Sequence, residues 1–403
     1  MTGAVASPRA PINSTASNPQ DAAGRWCADP GYGVYVHIPF CRHRCHYCDF
    51  NTYEGEKGSY RPYVDALVHE ITNSPHLGRT ATSVFFGGGT PTLLPVPQLA
   101  RILDAVRDRI GVVDGAEITI EANPETVDED TFRGLLDAGF TRASIGVQSL
   151  VPRVLTGLGR THSPETALEA LRAARRAGFE DANADLIYGS PWESADDWLV
   201  SLDGVIAAAP EHVSAYALTV EEGTPLHRLV ATNRLPDVDP DIQAQRHEVA
   251  AERLGRAGYE RYEVSNWAAP GRASRHNVLY WSAGDYAAFG AGAHAHHSGR
   301  RSWTTRLPRD YIAAVAGGRS TEAGFEVLDP DVRAGEALML GLRLTSGVDV
   351  AMLAGRYGTA PLETRADVIR ELECMGLLEW NGDHLRLSPG ATMVANEALW
   401  RLV

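Results

Sequence analysis

The chain has 403 residues, 37 of them basic and 51 acidic, for a formal net charge of −14, and 44% are hydrophobic. That is ordinary globular material, sized for two or three domains or one large α/β barrel. Its acidity argues against a sequence-independent grip on nucleic acid or anionic lipid, and its only lysine, Lys57 in EGEKGS, has no GxxxxGK[ST] frame around it.

Residues 1–30 are rich in Ala, Ser, Pro and Asn without periodicity and read as a disordered lead-in. They hold no apolar stretch long enough for a signal peptide, and no run in the chain approaches a transmembrane segment, so a cytoplasmic protein is expected. From Gly33 onward strand and helix patterns alternate. GVYVHIPF (33–40), SVFFGGG (83–89), EITIEA (117–122), RASIGV (142–147), DANADLIYG (181–189) and HVSAYALTV (212–220) read as strands. Helical patterns follow or separate them at 59–71, 97–110, 128–138, 163–178, 196–209 and 240–257. Six such units require parallel strands with right-handed crossovers, two units short of a full (β/α)₈ barrel. The expected fold is therefore α/β: a partial (β/α)₆ barrel over 31–260.

A mixed region at 261–328 follows, rich in aromatics, glycines and histidines. Residues 329–403 read as a helical, winged-helix-like domain ending in a hairpin with Asn381-Gly382 at the turn. This tail has seven Arg and no Lys against eleven acidic residues, so packing or partner docking is expected there and no nucleic acid.

Five cysteines, an odd count, do not make a secreted disulfide framework. Three of them form Cys41-x₃-Cys45-x₂-Cys48 just after the first strand, whereas Cys27 and Cys374 are isolated. A structural zinc site needs four ligands, and no second pair exists, although His43 or His46 could nominally complete one. A [4Fe–4S] cluster takes one thiolate per iron, so three cysteines leave one iron open to an exogenous ligand. In such folds ligands meet the C-terminal ends of the strands, which is where this loop lies.

The cysteine motif followed by a Gly-rich second strand end resembles the radical S-adenosylmethionine (SAM) superfamily. YVHIPFCRHRCHYCDFN (35–51), FFGGGTPT (85–92), IEANPE (120–125), SIGVQS (144–149), LGRTH (158–162) and NADLIYGSP (183–191) resemble its oxygen-independent coproporphyrinogen oxidase family, in order and over about residues 33–400. The resemblance implies that Cys41, Cys45 and Cys48 hold a [4Fe–4S] cluster whose open iron binds SAM. It further implies SAM contacts from Tyr35, Gly88, Gly89, Thr90, Glu121, Gln148, Arg160 and Asp185.

Within that family, the porphyrinogen-oxidising branch carries a further cysteine one residue beyond the third. Here the run is Cys48-Asp49-Phe50. Phe50 resembles the haem-chaperone (HemW) branch, as do the HNxxYW motif at His276–Trp281 and ALMLGLRLTSGVD (337–349). The resemblance implies haem as cargo, acceptor proteins as partners, and His276 as a candidate haem ligand. His294, His296 and His297 form a second candidate group with a metal-binding alternative. The alternative function is oxidative decarboxylation of coproporphyrinogen III by a radical generated from SAM.

Overall fold

The computed structural model describes residues 24–403 except 28, 76 and 77, so most of the expected lead-in lies outside the described residues. One sheet dominates. Its first six strands are β1 (Tyr32–Ile38), β2 (Ala81–Gly88), β3 (Val112–Ala122), β4 (Arg142–Gln148), β5 (Ala182–Tyr188) and β6 (His212–Ala217). They are parallel and adjacent in sequence order. The crossovers carry α1 (Tyr60–Asn73), α2 (Val96–Arg109), α3 (Glu129–Ala138), α4 (Pro152–Leu158), α5 (Pro164–Ala177) and α6 (Ala195–Ala208); α7 (Pro225–Ala231) and α8 (Pro240–Arg256) follow β6. Local chemistry sets the helix starts: Asp128 caps α3 through Thr131 N–H, Ser163 caps α5 through Thr166 N–H, and Ser194 with Asp197 forms a capping box on α6.

The strands alternate strictly. Val34, Val36, Ile38, Val84, Phe86, Ile118, Ile120, Ala143, Ile145, Ala184, Leu186 and Val213 are buried in one core with the helices. The opposite face carries His37, Ser83, Glu117, Thr119, Arg142, Ser144, Asn183, His212 and Ser214, all buried. Side chains two apart share a face of a strand, so the helix-facing side is apolar and the inner side is polar. That polar lumen positions the site.

The region at 261–328 extends this sheet. Strands β7 (Glu260–Arg261), β8 (Asn266–Ala268), β9 (Asp285–Phe289), β10 (His294–His297), β11 (Arg300–Thr304) and β12 (Glu322–Val327) give the order β12-β11-β10-β9-β1-β2-β3-β4-β5-β6-β8-β7. β9 runs parallel to β1, β8 pairs antiparallel with β6, and β10 to β12 continue as an antiparallel meander. The sheet therefore flanks its six-unit half-barrel with strands that the periodicity alone did not separate, because they are two to six residues long. Between β8 and β9 lies α9 (Arg275–Trp281), the HNxxYW segment; α10 (Pro308–Ala316) joins β11 to β12.

The C-terminal region contains α11 (Pro330–Gly341), α12 (Val350–Tyr357) and α13 (Ala360–Cys374) with a three-stranded sheet, in the order Val348–Asp349, His384–Leu387, Leu378–Asn381. Asn381 pairs with His384, so the hairpin turn is Gly382-Asp383 rather than Asn381-Gly382. Its core joins Leu338, Leu342, Leu353, Leu372, Leu385 and Leu399 to Val278 of α9 and to Trp26. Trp26 is only 5% exposed, so the lead-in gives way to packed structure before residue 30. Among the described residues no helix is long and apolar enough to cross a membrane.

Candidate functional site

At the C-terminal ends of β1 to β6 the lumen opens into a cavity of about 350 Å³. Cys41, Cys45, Cys48, Phe50, Gly88, Gly89, Thr90, Glu121, Gln148, Arg160 and Asp185 all line it. Residues spread over 145 positions of sequence thus meet at one mouth of the barrel.

The cysteine loop is fastened on both sides. His46 N–H donates to Leu158 O at 3.0 Å, and its Nδ1 lies 2.9 Å from Gly157 O, both at the end of α4. His46 clamps the loop to α4 and does not line the cavity. His43 Nδ1 lies 3.4 Å from Glu54 Oε1. Among the described residues no three His, Cys, Asp or Glu side chains converge on a single-ion position, the three cysteines included. The three thiols share one cavity, and a [4Fe–4S] cluster binds each thiolate to a separate iron. Burial pushes the Cys41 thiol up to about 11 and raises that of Cys48. Polar donors wait on the sulfurs: Thr90 Oγ1 is 3.9 Å from Cys41 Sγ, and Arg160 Nη1 is 3.4 Å from Cys45 Sγ.

Arg160 also donates through Nη2 to Asn123 Oδ1 at 2.6 Å and Gly146 O at 2.9 Å, and Asn123 Nδ2 donates to Thr90 Oγ1 at 2.9 Å. Asn123, inside the IEANPE motif but given no role by it, is thus the joint between Thr90 after β2 and Arg160 after α4, the two residues that reach the cysteine sulfurs. Gly88 has φ +112°, and its N–H donates to Glu121 Oε2 at 3.0 Å. A Cβ on Gly89 would lie 2.5 Å from Phe40 O, so only glycine lets this turn pass beside the cysteine strand. Gln148 ends β4 at a bulge with φ +63°, a left-handed conformation costly for a non-glycine residue and frequent where strain serves a site.

Burial, reinforced by the charge of Asp185, lifts the Glu121 carboxyl to about 7. Burial also raises Asp185, which accepts from Ser144 Oγ at 3.0 Å and Asn183 Nδ2 at 2.8 Å. From there Asn183 Oδ1 meets His212 Nδ1 at 2.7 Å, and His212 Nε2 meets Tyr262 Oη at 2.9 Å, carrying a hydrogen-bonded chain down the lumen.

Two expected site residues sit elsewhere. Tyr35 does not line the cavity: its Oη is 2.9 Å from His37 Nδ1, whose Nε2 is 3.0 Å from Asn51 O. It thereby braces the segment that follows the cysteines. His276 lies at the opposite mouth, 1% exposed, with Nδ1 2.9 Å from Ser83 Oγ and Nε2 2.9 Å from Tyr280 Oη. Burial lowers it to about 4, and neither ring nitrogen is free to face iron. Glu117 anchors the same helix, accepting from Ser274 Oγ at 3.1 Å, Arg275 N at 2.8 Å and His276 N at 3.0 Å. Such a carboxylate satisfies orphan N–H groups and opposes the helix dipole. The HNxxYW helix is thus a plug, with His276 and Tyr280 in the barrel and Val278 in the C-terminal core.

The three histidines of β10 do not assemble either. His296 Nδ1 is 3.3 Å and His297 Nδ1 3.8 Å from Asp285, while His294 stacks on Trp303 at 5.9 Å.

Residues 35–203 match the family model of the radical SAM superfamily, and residues 328–394 match that of the HemN C-terminal domain. The heme chaperone HemW of Mycobacterium tuberculosis is 41% identical, with 92% of this chain and 95% of the relative covered. That of Bacillus subtilis is 32% identical, with 90% and 97% covered. The chain belongs to the HemW family. As a radical SAM protein, a HemW-family chain implies a [4Fe–4S] cluster and SAM. The mitochondrial radical S-adenosyl methionine domain-containing protein 1 of Bos taurus is 36% identical, over 84% of this chain and 73% of its own length. The fold matches that of the coproporphyrinogen III oxidase HemN from Escherichia coli with a TM-score of 0.80 at 21% identity, covering 95% of this chain and 92% of the oxidase.

Proposed function

We propose that the chain is a haem chaperone that binds haem and passes it to acceptor proteins, with a [4Fe–4S] cluster on Cys41, Cys45 and Cys48 and SAM at the cluster's open iron. The observation that carries this reading is the composition of one cavity: three thiols, the expected SAM residues except Tyr35, and a phenyl ring at position 50. The donor chemistry fits the groups. Arg160 would balance negative charge at Cys45, and Thr90 would donate toward Cys41. Glu121 and Asp185 offer carboxylates to hydroxyl and ammonium groups of SAM, while the Gly88–Gly89 backbone admits its methionine end. When bound, the cluster supplies one electron at a time to SAM.

The oxidase alternative fits less well. It rests on a shared fold, and Phe50 brings no sulfur to the place where the oxidising branch has its further cysteine. Fold alone does not assign a reaction. The test is a haem titration of the anaerobically reconstituted chain, followed by mixing with an apo-haem protein. One haem bound per chain and then transferred supports the chaperone; absence of haem binding overturns it.

A further inference from the structure

A histidine that ligates carried haem needs a ring nitrogen free to face iron, with an apolar surface nearby for the porphyrin plane and cations for the propionates. The buried histidines among the described residues fail the first requirement: His162 Nδ1 has no hydrogen-bond partner but is sealed from solvent, and the ring nitrogens of His247 meet Tyr188 and Arg261. His276 and His212 use both ring nitrogens, as does His37 with Tyr35 and Asn51. The rim of the cysteine cavity brings all three together.

His43 lies on that rim and is exposed. Its Nδ1 sits 3.4 Å from Glu54 Oε1, and Nε2 has no hydrogen-bond partner among the described residues. A carboxylate beside one ring nitrogen favours the orientation in which the other faces outward. Phe50 stands on the same rim with 63% of its surface exposed, and Tyr216, at the end of β6, is 41% exposed. An exposed aromatic pair at a cavity mouth contributes little to folding and is the kind of surface that marks a ligand site. Two guanidiniums flank His43. Arg42 is exposed and makes no ion pair among the described residues, and Arg44 holds Cys48 O at 3.1 Å through a single nitrogen. The proposed SAM residues line the same cavity, so a flat ligand that shares it with SAM lies across the opening.

Resting on the haem-chaperone reading, we propose that haem docks across the C-terminal mouth of the barrel. His43 Nε2 is its axial ligand, Phe50 and Tyr216 meet the porphyrin face, and Arg42 and Arg44 meet the propionates. The run between the first two cysteines then has a purpose apart from spacing, and cargo and cluster occupy two floors of one site.

The test is a ferric-haem titration of the full reconstituted chain and of His43→Ala, Phe50→Ser and His276→Ala, read by the Soret band and by magnetic circular dichroism for imidazole ligation. The proposal predicts that His43→Ala weakens binding by about tenfold or more and loses the imidazole signature, which free imidazole then restores. Phe50→Ser weakens binding without changing the signature, and Phe50→Leu retains most of the affinity. His276→Ala keeps the signature. Iron and sulfide content checks that each variant still folds its cysteine loop. Parental affinity and spectrum in His43→Ala overturn the proposal while leaving the chaperone reading in place. A parent chain that binds no haem overturns both.

Discussion

The two mouths of the half-barrel use the same vocabulary and say different things with it. At the N-terminal mouth, His276, Tyr280, Ser83 and Glu117 satisfy one another in a closed network. At the C-terminal mouth, Glu121 and Asp185 face each other with raised pKa values, three thiols share a cavity, and Gln148 is held at a positive φ. A histidine is therefore part of a plug at one end and, as proposed for His43, a ligand at the other. Partner satisfaction separates the two, because a buried polar group with all its bonds made is structure, while strained or like-charged groups around a cavity are held in place for something else.

Substitutions at the two ends should split cofactor content from stability. The largest effect is expected for Cys45→Ala: iron and sulfide after anaerobic reconstitution fall from about four each per chain to background. Apoprotein stability stays near that of the parent, as chemical analysis and thermal unfolding would show. Tight stoichiometric zinc in the parent would contradict the cluster.

Glu117→Ala reverses the pattern. It leaves two N–H groups and a hydroxyl without their acceptor, and the expected loss is about 3 kcal/mol in denaturant unfolding, with cysteine-loop cluster content retained by the folded fraction. A neutral outcome would remove the plug from the account.

Glu121→Gln tests the charge at the open end. Because the folded-state carboxyl titrates near 7, above its ordinary 4.5, the folded chain holds that proton more tightly than the unfolded chain. This contribution is fully favourable below about 4.5 and is lost as pH rises through 7. The variant, which carries no charge, should gain on the parent between pH 5 and pH 8 by on the order of 2 kcal/mol. An unfolding difference that does not change with pH would mean that Glu121 is hydrated. The smallest effect is expected for Gln148→Gly, which should stabilise the apoprotein by about 1 kcal/mol by relieving the left-handed backbone while weakening SAM binding.

Much of the C-terminal mouth was legible in the sequence because its parts are contiguous motifs at strand ends: CRHRCHYC, GGGT, IEANPE and NADLIY each deliver a residue to the cavity. The six parallel strands were legible for a similar reason, since crossover helices separate them, three with side-chain caps. What escaped depends on contacts between distant segments. The motif around His276 reads as a ligand site until Ser83, 193 positions away, is seen to occupy its Nδ1. Tyr35 precedes the cysteines by a ligand-like spacing, yet its hydroxyl bonds sideways to His37. Strands β9 to β12 are short, and only their pairing back to β1 reveals that they continue the barrel sheet.

The most direct test of the central claim is product analysis on a single reconstituted sample, loaded with cluster and SAM and given reductant, coproporphyrinogen III and, in parallel, haem. The account predicts one bound haem per chain and coproporphyrinogen recovered intact. Stoichiometric conversion to protoporphyrinogen would contradict it.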